Sequence, residues 1–263
     1  MRRRTPDEQV RKALPQPKSR RLRTATAAVC LLVLAGVSGI AYFLRVTIPR
    51  ADALEAAQTC APKLAAAQIG DSVLLGTYEQ NGDPSDGAEP IEWVVLSRET
   101  DRLLLLSRFA LDYMPFSQSD GLCTWSDSTL HQWLNGAFYT AAFSKAERTM
   151  ILPTRLAQGE NVLFENDDDR RTTSRVFLLS IAEADDLFRS AETRRCLPTP
   201  YAVSHGANAA DSSVGWWLRT SGYDCSAAAR ILPEGDVSFI GQPAHFPLAV
   251  RPAIFVTCAP DPA

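Results

Sequence analysis

Two adjacent tryptophans lie in the segment Gly215-Trp216-Trp217-Leu218-Arg219. Successive side chains of a β-strand point to opposite faces of the sheet, so two adjacent tryptophans need packing on both faces. Trp216–Thr220 is therefore predicted to be a central strand. A second apolar and β-branched stretch, Ala249–Val256, predicts another strand near the C-terminus.

Two arginines, Arg219 and Arg251, lie inside these apolar stretches. A buried guanidinium needs carboxylate or backbone carbonyl partners, because an unpaired charge is expensive to remove from water. We therefore assign structural roles to Arg219, Arg251 and Trp216 rather than contacts with a ligand.

The charge of the chain is divided unevenly along its length. The 263 residues are 46% hydrophobic and 22% charged, which is a globular composition. Residues 1–23 hold nine basic and two acidic side chains, whereas the remaining residues hold 18 basic and 28 acidic ones. The acidic body argues against nucleic acid as its partner.

An uncharged run of 21 residues, Thr24–Leu44, follows the basic segment. A helix of this length spans about 30 Å, the thickness of a membrane's hydrocarbon core. The positive-inside rule then predicts a cytoplasmic tail at 1–23, one transmembrane helix, and a cell-membrane protein whose C-terminal domain lies outside. A signal peptide cleaved near Ala51-Asp52-Ala53 is the alternative, and the length of the apolar run favours an uncleaved anchor.

Beyond the anchor, we predict a stalk at 45–68, an extracytoplasmic α+β domain at 69–258 and a short tail at 259–263. Helices are expected where Ser or Thr is followed three residues later by Glu, as at Ser144–Glu147 and Ser180–Glu183. Another helix is predicted to begin at Asp127 or Ser128 and to end at Asn135-Gly136, and helical character is predicted to continue over Ala137–Phe143. The predicted surface loops are 112–125, 159–174 and 201–214. The predicted strands are Val73–Thr77, Ile91–Ser97, Leu103–Ser107, Arg175–Leu179, Trp216–Thr220, Ala227–Leu232, Val237–Ile240 and Ala249–Val256.

Five cysteines follow the predicted span, and an exported domain permits disulfides. Cys60 precedes the first predicted strand and Cys258 follows the last, so the two meet if the ends of the domain are adjacent. A Cys196–Cys225 bridge is a second expectation, which leaves Cys123 over. The alternative is that all five thiols are reduced.

Six short segments follow one another along residues 69–257. They are Ile69–Asp71, Glu89–Leu96, Leu130–Asn135, Val176–Ser180, Trp216–Arg219 and Val250–Ala253. In this order they resemble a widespread bacterial domain family of unknown function, which is similar to the C-type-lectin-like fold in its formylglycine-generating-enzyme variant. The resemblance implies an irregular α+β domain with adjacent termini, in agreement with the Cys60–Cys258 pairing.

The resemblance implies no activity, because the family has none assigned. The formylglycine-generating enzyme needs reactive cysteines in its substrate groove, and Cys225 has no matching cysteine nearby. The calcium loop of sugar-binding lectins is also missing from the sequence.

Candidate ligand contacts are aromatic side chains that can stack on a sugar or a peptide, namely Trp125, Trp217 and Tyr223. His205, in an irregular segment before the tryptophan strand, is a further candidate. We predict no metal site and no cofactor, because the three histidines lack metal-ligand spacing. Asn166–Asp169, followed by two arginines, indicates a solvated loop.

Together these features predict a single-pass, membrane-anchored extracytoplasmic module that binds a carbohydrate or a peptide. No catalytic residues are assigned. The alternatives are an exported enzyme, thiol-dependent through Cys123 or Cys225, and a structural component that oligomerises through its span or through Cys123.

Overall fold

The structure is a computed structural model that describes residues 60–118, 124–164, 170–208 and 213–258, with the backbone alone for residues 60–62. Among these residues, no helix has the length and apolar character needed to cross a membrane. Several predicted features lie outside the described residues. They are the two tails at 1–23 and 259–263, the span Thr24–Leu44, Cys123 and Asn166–Asp169.

The described fold is α+β, as predicted, and its strands form two five-stranded sheets and a two-stranded one. The first sheet has the order β1-β2-β3-β12-β7 and its neighbouring strands are antiparallel. Its core residues include Trp93, which is fully buried and donates its indole N–H to the carbonyl of Leu75 at 2.8 Å. The strands are β1 (Ser72–Tyr78), β2 (Glu89–Arg98), β3 (Arg102–Ser107), β7 (Val176–Phe177) and β12 (Ala253–Thr257).

The second sheet has the order β10-β9-β8-β11-β4, so the tryptophan strand β8 is central, as predicted. The β8–β11 pair is parallel and the other pairs are antiparallel. The two-stranded sheet pairs β5 with β6. The strands are β4 (Asp112–Pro115), β5 (Thr154–Ala157), β6 (Arg171–Ser174), β8 (Trp216–Ser221), β9 (Ala227–Ile231), β10 (Val237–Pro243) and β11 (Pro247–Val250).

The helices are short and most of them lie between the strands in the chain. Both predicted capping boxes are formed, at Ser144–Glu147 and at Ser180–Glu183. Leu64 of the first helix is fully buried, so this helix belongs to the packed domain although the sequence placed it in the stalk. The helices are α1 (Cys60–Ala66), α2 (Thr129–Trp133), a π-helix (Leu134–Phe138), α3 (Tyr139–Ala142), α4 (Lys145–Met150), α5 (Ile181–Asp186), α6 (Ala191–Arg194) and α7 (Pro200–Ser204), with a 3-10 turn at Trp125–Asp127.

Both tryptophans of β8 are fully buried. The indole N–H of Trp216 donates to the carbonyl of Arg194 at 3.1 Å, and that of Trp217 donates to the carbonyl of Met114 at 3.0 Å. The guanidinium of Arg251 lies 5.1 Å from the ring centre of Trp216, while Phe116 packs against Trp217 at 5.7 Å. The strand is therefore covered on both faces, and each indole has a polar partner.

Arg219 of β8 connects several segments through one buried guanidinium. It donates to both carboxylate oxygens of Glu183 in α5, at 2.5 and 2.7 Å. It also donates to the carbonyls of Leu178 at 2.7 Å and of Ala157 at 2.8 Å. Its side chain is only 4% exposed, so these contacts replace the water that the charge has lost.

The predicted strand Ala249–Val256 is wrong as a single element. The structure divides it into β11 and β12, which belong to different sheets, with Arg251 and Pro252 between them. Proline has no N–H for a ladder hydrogen bond. The Arg251 guanidinium instead donates to the carbonyls of Ser107 at 3.0 Å and Arg194 at 3.2 Å, so the break is stabilised from the side chain.

Three predicted loops contain regular structure. Strand β4 lies in the predicted loop 112–125 and pairs with β11, and β6 lies in the predicted loop 159–174 and pairs with β5. Helix α7 extends into the predicted loop 201–214.

The helix capped by Ser128 is not interrupted at Asn135-Gly136. The Asn135 side chain bonds the backbone of Val176 and Arg175. The helical path continues through the π-helix into α3, where the sequence also predicted helical character.

Replacing Arg219 by glutamine tests the buried ion pair. We expect the Arg219→Gln variant to lose about 3–5 kcal/mol in free energy of unfolding, because the carbonyls of Leu178 and Ala157 and the partly exposed Glu183 carboxylate all lose a charged donor. Urea denaturation measures this loss. The control is Arg108→Gln, which breaks the exposed Arg108–Glu92 pair (3.3 Å) and should cost less than about 1 kcal/mol. Equal losses in the two variants would contradict the assigned role.

Candidate functional site

Two of the four predicted ligand contacts are buried in the structure. Trp125 is 1% exposed and Trp217 is fully buried. The Trp125 ring packs against His131 at 4.9 Å and against Phe116 at 6.0 Å between ring centres. A buried indole presents no face to a ligand, so neither tryptophan is a ligand contact in this conformation.

The other two predicted contacts are accessible but lie at opposite edges of the second sheet. Tyr223 is 43% exposed and its N–H donates to the carbonyl of Ile240 in the edge strand β10. The His205 side chain is 41% exposed and bonds Asp112 in the other edge strand, β4. The structure therefore does not bring the four predicted residues into one site.

A buried carboxylate, Asp112, holds His205 in place. Asp112 is 3% exposed, and its Oδ1 lies 2.7 Å from His205 Nδ1. The same oxygen accepts the N–H of Tyr113 at 2.7 Å, and Oδ2 accepts the hydroxyl of Tyr78 at 2.5 Å. Asp112 therefore fixes the imidazole so that its Nε2 is left without a partner among the described residues.

Two tyrosines complete the cluster around Asp112. The ring of Tyr201 lies 5.7 Å from that of Tyr78 and 4.1 Å from that of His205. Burial, together with the nearby Asp112 carboxylate, raises the pKa of Tyr78 far above its usual range. Burial also raises the pKa of Tyr201, so both phenols stay protonated at neutral pH.

A cavity of about 280 Å³ lies beside this cluster. The two share a boundary, because the N–H of Tyr201 donates to the carbonyl of Gln80 at 3.0 Å. One wall comes from the end of β1 and the start of β2, and the other from the segment that leads into α7. The lining residues are Gln80, Asn81, Glu89, Pro90, Phe109, Pro198, Thr199 and Pro200.

The carboxylate of Glu89 organises the polar wall of this cavity. Its Oε2 accepts the N–H of Gln80 at 2.7 Å and the N–H of Asn81 at 3.3 Å, and its Oε1 accepts the Asn81 side chain. Partial burial and the nearby charge of Glu79 raise the pKa of Glu89, although the backbone N–H groups that donate to its carboxylate oppose this. The folded chain therefore stabilises the charged form of Glu89 less well than water does.

A larger depression of about 530 Å³ lies between α1 and β1. It is lined by Lys63 and Asp71, one charge of each sign, and by the first residues of β1. It has no aromatic wall, so it offers a ligand fewer apolar contacts than the cavity at Glu89 does.

The three cysteines whose side chains the structure describes are free thiols. Cys196, Cys225 and Cys258 are unbridged, so neither expected pairing is formed in the structure. Burial raises the pKa of the Cys196 thiol, which makes that thiol a poor nucleophile. The Cys258 thiol lies 4.0 Å from the carbonyls of Glu99 and Thr100.

Sequence reasoning missed Asp112, Glu89 and Phe109. Asp112 was placed in a loop, because its strand is completed only by β11 from the far end of the chain. A signal for Glu89 was present: residues 71–97 contain six acidic side chains and no Lys, Arg or His. Such an imbalance indicates a surface of negative potential.

Comparison with protein families gives one match. The family described as Domain of unknown function (DUF6273) matches residues 100–258. The chain belongs to this family. No curated protein and no solved structure matches the chain. The DUF6273 match confirms the predicted membership of a family of unknown function and includes Asp112, His205 and one wall of the cavity, whereas Gln80 and Glu89 precede it.

Replacing Tyr78 by phenylalanine tests the buried cluster. The raised pKa of Tyr78 means that the folded state holds the phenolic proton more tightly than the unfolded state does. Its contribution to the free energy of unfolding is therefore complete below about pH 10 and is lost as the pH rises further. Tyr78→Phe should cost about 1–3 kcal/mol at pH 7, because Asp112 loses a donor, and should flatten the fall in stability above pH 10.

Chemical denaturation between pH 7 and pH 11 measures both effects. Tyr223→Phe is the control, since Tyr223 is exposed and its hydroxyl contacts only Ser226 among the described residues, at 3.2 Å. An unchanged alkaline profile in Tyr78→Phe would contradict the assignment of that profile to Tyr78.

Proposed function

We propose that this DUF6273 protein is a single-pass, membrane-anchored module that binds a ligand outside the cytoplasm, and that the cavity at Glu89 is its ligand site. The observation that carries the proposal is the composition of this cavity. Three prolines and a phenylalanine form apolar walls, and a few polar groups converge on them. Small-molecule and peptide sites have this combination of apolar walls and a few placed polar groups.

The anchor is supported by the sequence alone. The uncharged run Thr24–Leu44 follows nine basic residues, which favours a cytoplasmic N-terminus. The proposed ligand is a carbohydrate or a peptide, because the cavity volume suits one sugar ring or one or two side chains.

We also propose that the fold is C-type-lectin-like and that Cys60 pairs with Cys258. The support is that the C-terminal end of α1 and the last described residue both lie at the β2–β3 connection. Arg98 donates to the carbonyls of Ala65 at 2.9 Å and Ala67 at 2.7 Å, at the end of α1. The N–H of Cys258 donates to the carbonyl of Asp101 at 2.9 Å, in the same turn.

An exported enzyme is the second candidate, and the Asp112–His205 pair favours it. A histidine whose Nδ1 is held by a carboxylate presents Nε2 as a general base. If His205 acts as a general base, the protein converts its ligand into a product. Incubating a ligand with the wild-type chain and with His205→Asn distinguishes the two candidates: conversion by the wild type alone supports the enzyme, and recovery of unchanged ligand supports the binding module.

Topology is tested with reporter fusions to the full chain. A C-terminal alkaline phosphatase should be active and a C-terminal green fluorescent protein dark, because only the first folds outside the cytoplasm. Removal of the basic residues in 1–23 should reduce or invert this pattern. A fluorescent fusion to the unaltered chain would contradict the proposed location.

The disulfide is tested on chain isolated from the membrane under non-reducing conditions. Oxidation by an exported dithiol–disulfide oxidoreductase removes two protons and two electrons from the thiols and joins the two sulfurs. A Cys60–Cys258 bridge closes a loop of roughly 200 residues and should add about 5 kcal/mol. Cys258→Ser should lose this stability and Cys225→Ser should not, and finding Cys258 as a free thiol in native chain would contradict the bridge.

A further inference from the structure

The side-chain donors that line the Glu89 cavity already have partners within the protein. Gln80 Nε2 already donates to the carbonyls of Pro90 at 3.0 Å and Glu89 at 3.2 Å. Asn81 Nδ2 donates to both carboxylate oxygens of Asp86 and to Glu89. The Thr199 hydroxyl donates to the carbonyl of Leu111 at 3.3 Å. The side-chain donors of the lining are therefore engaged inside the protein.

Acceptors remain on the same wall. A carboxylate has about four lone-pair sites, and Gln80 and Asn81 together supply three hydrogen bonds to Glu89. The side-chain oxygen of Gln80 accepts no hydrogen bond from the described residues, whereas its Nε2 donates to three carbonyls. An amide oxygen can accept two hydrogen bonds. A ligand that binds this wall must therefore bring donors.

The negative charge around the cavity favours cationic donors over neutral ones. Glu89 and Glu79 have no Lys or Arg partner in the described parts of the chain, and the segment 71–97 that carries them has no basic residue. A cationic donor neutralises this charge, whereas a hydroxyl donor does not. The electrostatic preference is thus for a cation rather than for a neutral polyol.

The remaining walls suit an apolar stem behind the charged group. Pro90, Pro198 and Pro200 present rings without N–H donors, and Phe109 adds a half-buried aromatic side chain. Long cationic side chains bury their methylene stems against such surfaces while the charged head stays at a polar rim. Phe109 also adds the electron-rich face that attracts cations.

We infer that the cavity takes an organic cation with an apolar stem, of the kind that a lysine side chain of a peptide provides, with Glu89 as its counter-ion. The inference rests on the proposed binding function and narrows it from carbohydrate or peptide to a basic peptide.

The test measures the affinity of the full-length chain in a neutral detergent for two matched probes. The first is Nα-acetyl-lysine amide, and the second is Nα,Nε-diacetyl-lysine amide, which has the same stem without the charge. Ligand-observed NMR titration should give a dissociation constant about tenfold lower for the charged probe at low salt. The difference should shrink as salt is added, because the pair is partly exposed.

Variants assign the preference to the cavity. Glu89→Gln keeps the side-chain shape and should remove the preference for the charged probe, so that the two probes bind with similar affinity. Glu79→Gln, farther from the cavity, should reduce the preference about two- to threefold. Glu92→Gln is the control, since Glu92 pairs with Arg108 at 3.3 Å and does not line the cavity, and it should change neither affinity. If Glu89→Gln does not fold, Glu79→Gln carries the test.

Phe109→Leu tests whether the probes bind in the cavity at all, independently of whether the cavity prefers a cation. It should weaken both probes by a similar factor, because it shortens the shared apolar wall. Equal binding of the two probes, weakened by Phe109→Leu and insensitive to Glu89→Gln, would overturn the cation and keep the cavity as a site. Failure of both probes to bind at millimolar concentration would overturn the cation and count against the cavity as well.

Discussion

The fold depends on placing one charged side chain inside an otherwise apolar strand. Arg219 lies in the centre of the second sheet, and its guanidinium bonds Glu183, the segment after β7 and the end of β5. Removing this charge from water is costly unless every donor finds an acceptor, so the four segments must come together in one arrangement. The specificity of the core therefore comes from a polar requirement, while its stability comes from the tryptophans and leucines around it.

The same rule shapes the junction between the two sheets. Arg251 is buried and satisfied by backbone carbonyls, and Pro252 follows it. Together they end β11 and let the chain cross to β12 in the first sheet. Apolar periodicity predicted one strand here, because it reports burial and does not report which sheet a buried residue belongs to. The capping boxes at Ser144 and Ser180 were predictable, since both partners lie within four residues.

The candidate site was less predictable than the core, because the segments that form it lie far apart in the sequence. Its walls come from the β1–β2 connection, from Phe109 and from the prolines before α7, and no local pattern links these segments. Aromatic composition pointed to Trp125 and Trp217, which packing has buried instead. His205 was identifiable as a histidine in an irregular segment, but its partner Asp112 became visible only when β11 converted a predicted loop into a strand. The acidic bias of residues 71–97 was readable in advance, although it named no cavity.

Backbone amides report directly on whether a ligand binds at the carboxylate of Glu89. The N–H groups of Gln80 and Asn81 both donate to this carboxylate, so a cation that arrives there must change their environment. Amide chemical shifts of the full-length chain, titrated with Nα-acetyl-lysine amide, measure this change. We expect binding at Glu89 to give Gln80 and Asn81 the largest shifts and to make the two shifts saturate together. Shifts that are confined to other surfaces, such as that around Tyr223, would contradict it.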